Sequence, residues 1–267
     1  MDLKYFFNRT TVRDYSEREI SDNLLNEMIE AASHAPTTGG MQLYSVLITR
    51  DKTIKENLAS CHFNQLMVTA APIVLTFCAD FNRFVTWCKA SNAEPGYDNF
   101  QSLMSAILDV TIFAQQFNTI AEMNGLGCCY LGTTTYNAHE IANVLNLPYR
   151  VIPIITLTVG YPKQKKQFKT DRLPLDGIIH QEQYYELTAN EVKNVYKHKE
   201  SLDVNKGFVR ENNKESLAQV FTDVRYPKES NEIFSKKFIE YLKEQNYLYN
   251  KIPGTNALGI LQAVKKV

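Results

Sequence analysis

Two arginines and two threonines fall within five residues near the N-terminus, in Arg9-Thr10-Thr11-Val12-Arg13-Asp14-Tyr15. A guanidinium stays charged and presents a planar fork of donors, and hydroxyls add to it, so this is equipment for holding a phosphate monoester. A solvated turn with incidental ion pairs would use the same residue types. In Ala35-Pro36-Thr37-Thr38-Gly39-Gly40-Met41-Gln42, hydroxyls, amides and flexible backbone follow an expected helix end, a suitable rim for a flat heteroaromatic ring or an ordinary turn. Gln65 both donates and accepts hydrogen bonds, as a pyrimidine edge requires. In Gly127-Cys128-Cys129-Tyr130-Leu131-Gly132-Thr133, glycine permits close backbone approach, and Tyr130 could cover a ring or serve as core. Arg172, in Arg172-Leu173-Pro174-Leu175, is a third phosphate-ligand candidate. The lysines before it, Lys163, Lys165, Lys166 and Lys169, read as solvated loop residues, Lys169 least firmly.

Other chemistries find less equipment. His34, His62, His139, His180 and His198 stand on separate elements without paired ligand spacing, so they read as surface or packing residues and no metal site is expected. The five cysteines are odd in number, and the adjacent pair lacks metal-type spacing, which fits a reduced cytoplasmic protein. Acidic and basic residues balance at 29 each, so no global field draws the chain to nucleic acid or an anionic membrane, and a small-molecule partner is expected. The stretch Met1–Asn8 has no apolar h-region, and no run reaches the ~18 apolar residues of a membrane span.

The elements that must position these residues follow from periodicity and caps. Ser21 is an N-cap for a helix carrying Leu24, Leu25, Met28, Ile29 and Ala32, stopped by Pro36. Residues 45–49, 73–80, 128–133 and 151–159 read as strands, the last interrupted by Pro153. Residues 99–124 form a long helix that is apolar on more than one face, which suits burial by its own sheet and by a second subunit. Gly125 or Gly127 ends it. Asn137 with Glu140, and Thr188 with Glu191, have the spacing of capping boxes. A polar, lysine-rich surface connection runs from Lys163 to Pro174. Ile233, Phe234, Phe238 and Leu242 form a late apolar stripe, and 251–267 has helical spacing. The pattern is α+β: a core over 1–187 with a helical C-terminal extension, 188–267, of the same domain.

Taken in order, Arg9-x-Thr11-Val-Arg13-x-Tyr15, the Ala35–Gln42 loop, Gln65, Phe77–Arg83, Gly125–Gly132 and Arg172-Leu-Pro174 resemble the oxygen-insensitive nitroreductases and flavin reductases. The chain is most similar to their larger, usually NADPH-using branch, densely from Arg9 to about His180 and more weakly to about Tyr247. The resemblance implies a central, mainly antiparallel sheet surrounded by helices, in a domain-interlocked homodimer with one FMN at each subunit interface. By it, Arg9, Thr11, Arg13 and Arg172 grip the FMN phosphate, and Thr37, Thr38, Gly39, Gln65, Leu131 and Gly132 contact the isoalloxazine or ribityl part. Thr10, Gln42, Tyr130, Thr133 and Lys169 complete the candidate set.

The implied activity is transfer of two electrons from NADPH or NADH to a nitroaromatic, quinone or flavin acceptor, with ping-pong kinetics if donor and acceptor share one slot. The flavin carries the chemistry, so no catalytic acid, base or nucleophile is nominated. Two positions depart from the family pattern. Thr170 stands where the family has lysine, with Lys169 displaced by one, and only Arg210 and Lys214 stand where relatives carry paired arginines for the adenosine phosphate. The alternatives are a non-catalytic FMN store or sensor, a flavin-dependent dehalogenase-type enzyme, and an interaction module using 204–267.

Overall fold

Short runs of β-branched and aromatic residues build the sheet in the computed structural model, which describes residues 3–96, 98–164 and 171–248. Strands β1 (Tyr44–Thr49), β2 (Ile73–Asp80), β3 (Gly127–Leu131) and β4 (Val151–Gly160) pair antiparallel throughout, in the order β1-β2-β4-β3. All four expected strands form, the third from Gly127 to Leu131 instead of to Thr133. β2 is buried along its whole length because helices cover both faces of the sheet. Ile73, Leu75 and Phe77 meet Met28, Phe113 and Phe117 on one face, and Val74 meets Leu58, Val68 and Ile141 on the other, the period-two alternation of a strand. Pro153 is tolerated because it lies past the end of β3, which pairs only with Thr156–Gly160, and at a register shift between Phe77 and Cys78.

The helices α1 (Lys4–Asn8), α2 (Asp22–Ser33), α3 (Lys52–Cys61), α4 (Leu66–Ala70) and α5 (Phe81–Ala90) precede the long α6 (Phe100–Met123). Ser21 caps α2 by accepting from the Leu24 N–H, and Asn99 caps α6 by accepting from Ser102 N–H. Gly125 ends α6 with φ of +79°, and the Leu126 and Gly125 N–H groups donate back to Ala121 and Glu122, a Schellman closure. Leu103, Ala106, Val110, Phe113, Phe117 and Ala121 of α6 are buried. The opposite stripe, Phe100, Met104, Leu108 and Ile112 at four-residue spacing, is between 39% and 60% exposed within the single chain.

Beyond β4 come α8 (Ala189–Ser201), α9 (Asp203–Glu211), the short α10 (Leu217–Gln219) and α11 (Lys228–Glu244), after α7 (Ala138–Val144) in the core. Thr188 and Glu191 form the expected capping box. Asn137 and Glu140 do not: a 3-10 turn over Thr135–Asn137 runs straight into α7, and both side chains are engaged elsewhere, accepting from Lys237 Nζ at 2.9 and 2.6 Å. The stripe of α11 also differs from expectation. Tyr241 and Leu242 are buried with Leu43, Phe81 and Tyr247, whereas Ile233 is 53% exposed, because the docking face runs through 234, 238, 241 and 242. Among the described residues no helix is long and apolar enough to cross a membrane. The expected tail helix over 251–267 and Lys169 lie outside the described residues.

Candidate functional site

The first group of candidate residues gathers at the β3 edge of the sheet. Val12 N–H donates to the Cys128 carbonyl at 3.1 Å, which lays the Arg9–Tyr15 segment along β3. Gly127 makes this approach possible, since a Cβ there would sit 2.3 Å from Val12 Cγ2. Gly160 does the same for Tyr15, whose ring would be 2.7 Å from an added Cβ, and the Tyr15 hydroxyl donates to the Val12 carbonyl. Val12 and Tyr15 pack on Ala71 and Met67, which joins the segment to α4. Along this edge Arg13 is exposed and Thr10 and Thr11 are half-buried.

At the far end of β3, Gly132 is open: a Cβ there would meet nothing within 4 Å. Beside it Thr133 Oγ1 lies 2.7 Å from His62 Nδ1, and the Gln65 N–H donates to the His62 carbonyl. His62 thus ties the Gly132–Thr133 turn to the Gln65 corner, which turns through positive φ at Phe63 and Asn64. Leu131 and Tyr130 are packing residues, Leu131 buried toward Leu58 and Ile141, Tyr130 against the α6 side with its hydroxyl 3.4 Å from Gln115 Oε1.

The second group stands apart. Thr37, Thr38, Gly39 and Gln42 lead into β1, at the opposite edge of the sheet; three inter-strand spacings separate β1 from β3 by about 14 Å. A buried carboxylate on α6 shapes this loop. Asp109 Oδ1 accepts from both the N–H and the hydroxyl of Thr38, each at 2.9 Å. Gly39, Gly40 and Gln42 have φ of +58°, +69° and +51°, so the loop coils tightly before β1. Arg83, from α5, donates to the carbonyls of Gln42 and Tyr44 and secures its exit. Arg172 donates to the Asp171 carbonyl, in a segment resting on α8 through Asp171–His198 and Gly177–Val195.

Charge is distributed unevenly over these groups. Arg9 pairs with Glu122 Oε1 at 3.1 Å, and the same carboxylate accepts from Tyr5 and Asn118, so Arg9 is partly neutralised from within the protein. Burial pushes the thiols of Cys128 and Cys129 up, against the opposing pull of Arg9 on both and of Arg13 on Cys129, so neither is a thiolate at neutral pH. Burial lowers His62 to about 4, leaving a neutral imidazole whose Nε2 has no hydrogen-bond partner among the described residues. Among the described residues the arrangement offers hydrogen-bond donors and an open backbone edge at Gly132, without an activated nucleophile.

Residue patterns at the sequence level missed Asp109, Glu122 and His62 as positioning groups. Asp109 had a visible signal, a carboxylate inside the apolar run Ile107–Val110. Glu122 follows Asn118 by one helical turn, the spacing at which their side chains meet. The sequence puts His62 with the other histidines as a surface or packing residue; it is fully buried, and its partner Thr133 is too distant in sequence for spacing to suggest it.

The fold has known counterparts. A model described as the Nitroreductase family matches residues 7–161. The chain is 32% identical over 177 residues to a Cr(VI) reductase of Pseudomonas sp. (strain G-1), covering 66% of this chain and 72% of that one. It is 29% identical over 199 residues to the FMN reductase (NAD(P)H) of Bacillus subtilis (strain 168), covering 70% and 77%. A crystal structure of a Bacteroides fragilis protein described as an oxidoreductase superposes with a TM-score of 0.90 at 50% identity, over 92% of this chain and all of that one.

Proposed function

The chain belongs to the nitroreductase family, and on that premise we propose that it is an FMN-dependent oxidoreductase. It takes two electrons from NADPH or NADH and delivers them to a flat aromatic acceptor, a nitroarene, quinone or free flavin, with donor and acceptor using one slot in turn. It works as a homodimer in the cytoplasm, with residues 188–248 extending the core domain. Relatives named as FMN and Cr(VI) reductases support the redox reading.

The residues of this chain suit the cofactor. Arg9, Thr10, Thr11 and Arg13 line one end of β3 and, with Arg172 and Lys169, would hold the phosphate. The open backbone at Gly132 and the donors of Thr133 and Gln65 would meet the ribityl chain and the ring edge, with Leu131 and Tyr130 behind them. Thr37, Thr38, Gly39 and Gln42 would face the ring from the second subunit. Bound FMN supplies the two-electron chemistry; the chain supplies position, a dry surface and fixed dipoles. The Arg9–Glu122 pair reduces the positive charge that the phosphate would meet, so Arg13 would carry more of that interaction.

The observation that carries this reading is the division of the candidate residues between opposite sheet edges, combined with the exposed apolar stripe of α6. A second copy packed on that stripe would bring its Thr37–Gln42 loop to the β3 edge of the first. Complementation tests it. Arg13→Ala damages one group and Gly39→Val the other, so each variant alone loses FMN. In a mixed dimer one of the two sites is intact, so co-expressed chains regain FMN at about one site in four by random pairing. No regain would mean that each chain forms its site alone.

A further inference from the structure

Helix α11 reaches back from the C-terminal region to the corner that carries Gln65 and Thr133. Phe234 stacks on Tyr136, ring centroids 4.4 Å apart and planes within 3°, and meets Phe63 edge-on at 5.8 Å. One turn later Lys237 donates to Asn137 at 2.9 Å and to Glu140 at 2.6 Å, while Asn137 donates to the Cys61 carbonyl at 2.7 Å. Cys61 is the last residue of α3. The next residue, His62, holds Thr133 through Nδ1 and the Gln65 N–H through its carbonyl.

We propose that α11 is a positioning element for the flavin corner: Phe234 and Lys237 fix the Cys61–Gln65 turn and, through His62, the Gly132–Thr133 turn. The proposal rests on the FMN reading above. Three features of the corner call for such a brace. Phe63 and Asn64 both adopt positive φ, a conformation with little local preference for phenylalanine, so tertiary contacts must maintain it. Phe63 is 53% exposed and touches Phe234. Asn137, which could have capped α7, instead bridges α11 to the α3 terminus, spending its side chain on the link between two elements far apart in sequence. Neither Phe234 nor Lys237 is assigned to the flavin itself; each acts through the corner.

Phe234→Ala and Lys237→Met test this, with Phe234→Tyr and Lys237→Arg as conservative partners and Ile233→Ala as a control on the exposed side of the same helix. Hydrogen exchange of peptides spanning 61–66 and 130–136 is followed in FMN-free protein, and FMN affinity and the visible band of the bound flavin are followed in loaded protein. Faster exchange at both peptides, a shifted flavin band and affinity weakened about tenfold are expected, the scale of one aromatic pair or one charged hydrogen bond transmitted to the site. The tyrosine and arginine variants and Ile233→Ala should behave as the parent. An unchanged band and affinity in both truncated variants overturns the proposal, even if the melting temperature falls, because α11 would then be structural alone. Parent protein that takes up no FMN overturns the functional reading instead, and the exchange data still report whether α11 holds the corner.

Discussion

Replacing Asp109 with alanine should loosen the Thr37–Gln42 loop and cost measurable stability. Asp109 is 2% exposed, and its Oδ1 accepts from Thr38 N–H and Oγ–H at 2.9 Å each, with Oδ2 3.2 Å from the same N–H. Hydrogen bonds to a charged acceptor are worth about 1.5 kcal/mol or more each, so Asp109→Ala should cost about 3 kcal/mol. Asp109→Asn keeps one acceptor oxygen and should cost about 1–2 kcal/mol. Thr38→Val removes only the hydroxyl and should cost about 1 kcal/mol, much of which should vanish in the Asp109→Ala background because the two groups are coupled. Urea unfolding of FMN-free protein at one fixed concentration measures all four, so that any subunit association contributes equally. An Asp109→Ala effect below about 0.5 kcal/mol, or strict additivity with Thr38→Val, would refute the view that this carboxylate shapes the loop.

Other consequences follow from the same geometry. Leu108→Glu places a charge in the exposed stripe of α6, where Leu108 is 60% and Ile112 42% exposed, and should convert the proposed dimer to monomer with loss of FMN in analytical ultracentrifugation; a dimer of unchanged affinity would remove α6 from the interface. Gly127→Ala drives a methyl to 2.3 Å from Val12 Cγ2 and should displace the Arg9–Arg13 segment, costing about 1–3 kcal/mol and weakening FMN; an unaltered melting curve and affinity would contradict the close packing. Burial opposes the charge of His62 and lowers its pKa to about 4 in the folded protein, against about 6.5 for an unperturbed histidine. The unfolded chain therefore binds more protons between these values. The stability contribution is whole above 6.5 and is lost as pH falls through 4, about 3 kcal/mol in all. His62→Gln should flatten the unfolding free energy between pH 7 and 4 by roughly that amount, and an equally steep profile would place the titration elsewhere.

What the sequence disclosed and what it withheld divide along a physical line. Elements governed by local rules were legible: the Ser21 and Asn99 ends of α2 and α6, the Thr188–Glu191 box, a glycine stop at 125 or 127, which falls at Gly125, and the strands. The doubly apolar character of α6 could be read from its residues alone, and the exposed stripe in the fold matches it. Non-local competition decided the failures. Asn137 and Glu140 have capping-box spacing, yet Lys237, 100 and 97 residues away, offers a stronger partner. Ile233 fits the periodic stripe, but the docking face of α11 is set by where Tyr241 and Leu242 meet Phe81 and Tyr247. Arg9 stands out by type as a candidate phosphate ligand, whereas its bond to Glu122 depends on the end of α6 folding beside it.

The most direct test of the redox assignment is anaerobic titration of the purified, FMN-loaded protein with NADPH and, separately, NADH, followed by a nitroarene or quinone, while visible absorbance is recorded. The account predicts a yellow protein that bleaches with a nicotinamide donor and recovers its colour on addition of the acceptor, with parallel double-reciprocal plots in steady state. Yellow protein inert to both donors would contradict the assignment in favour of flavin storage, and protein that binds no FMN would contradict it altogether.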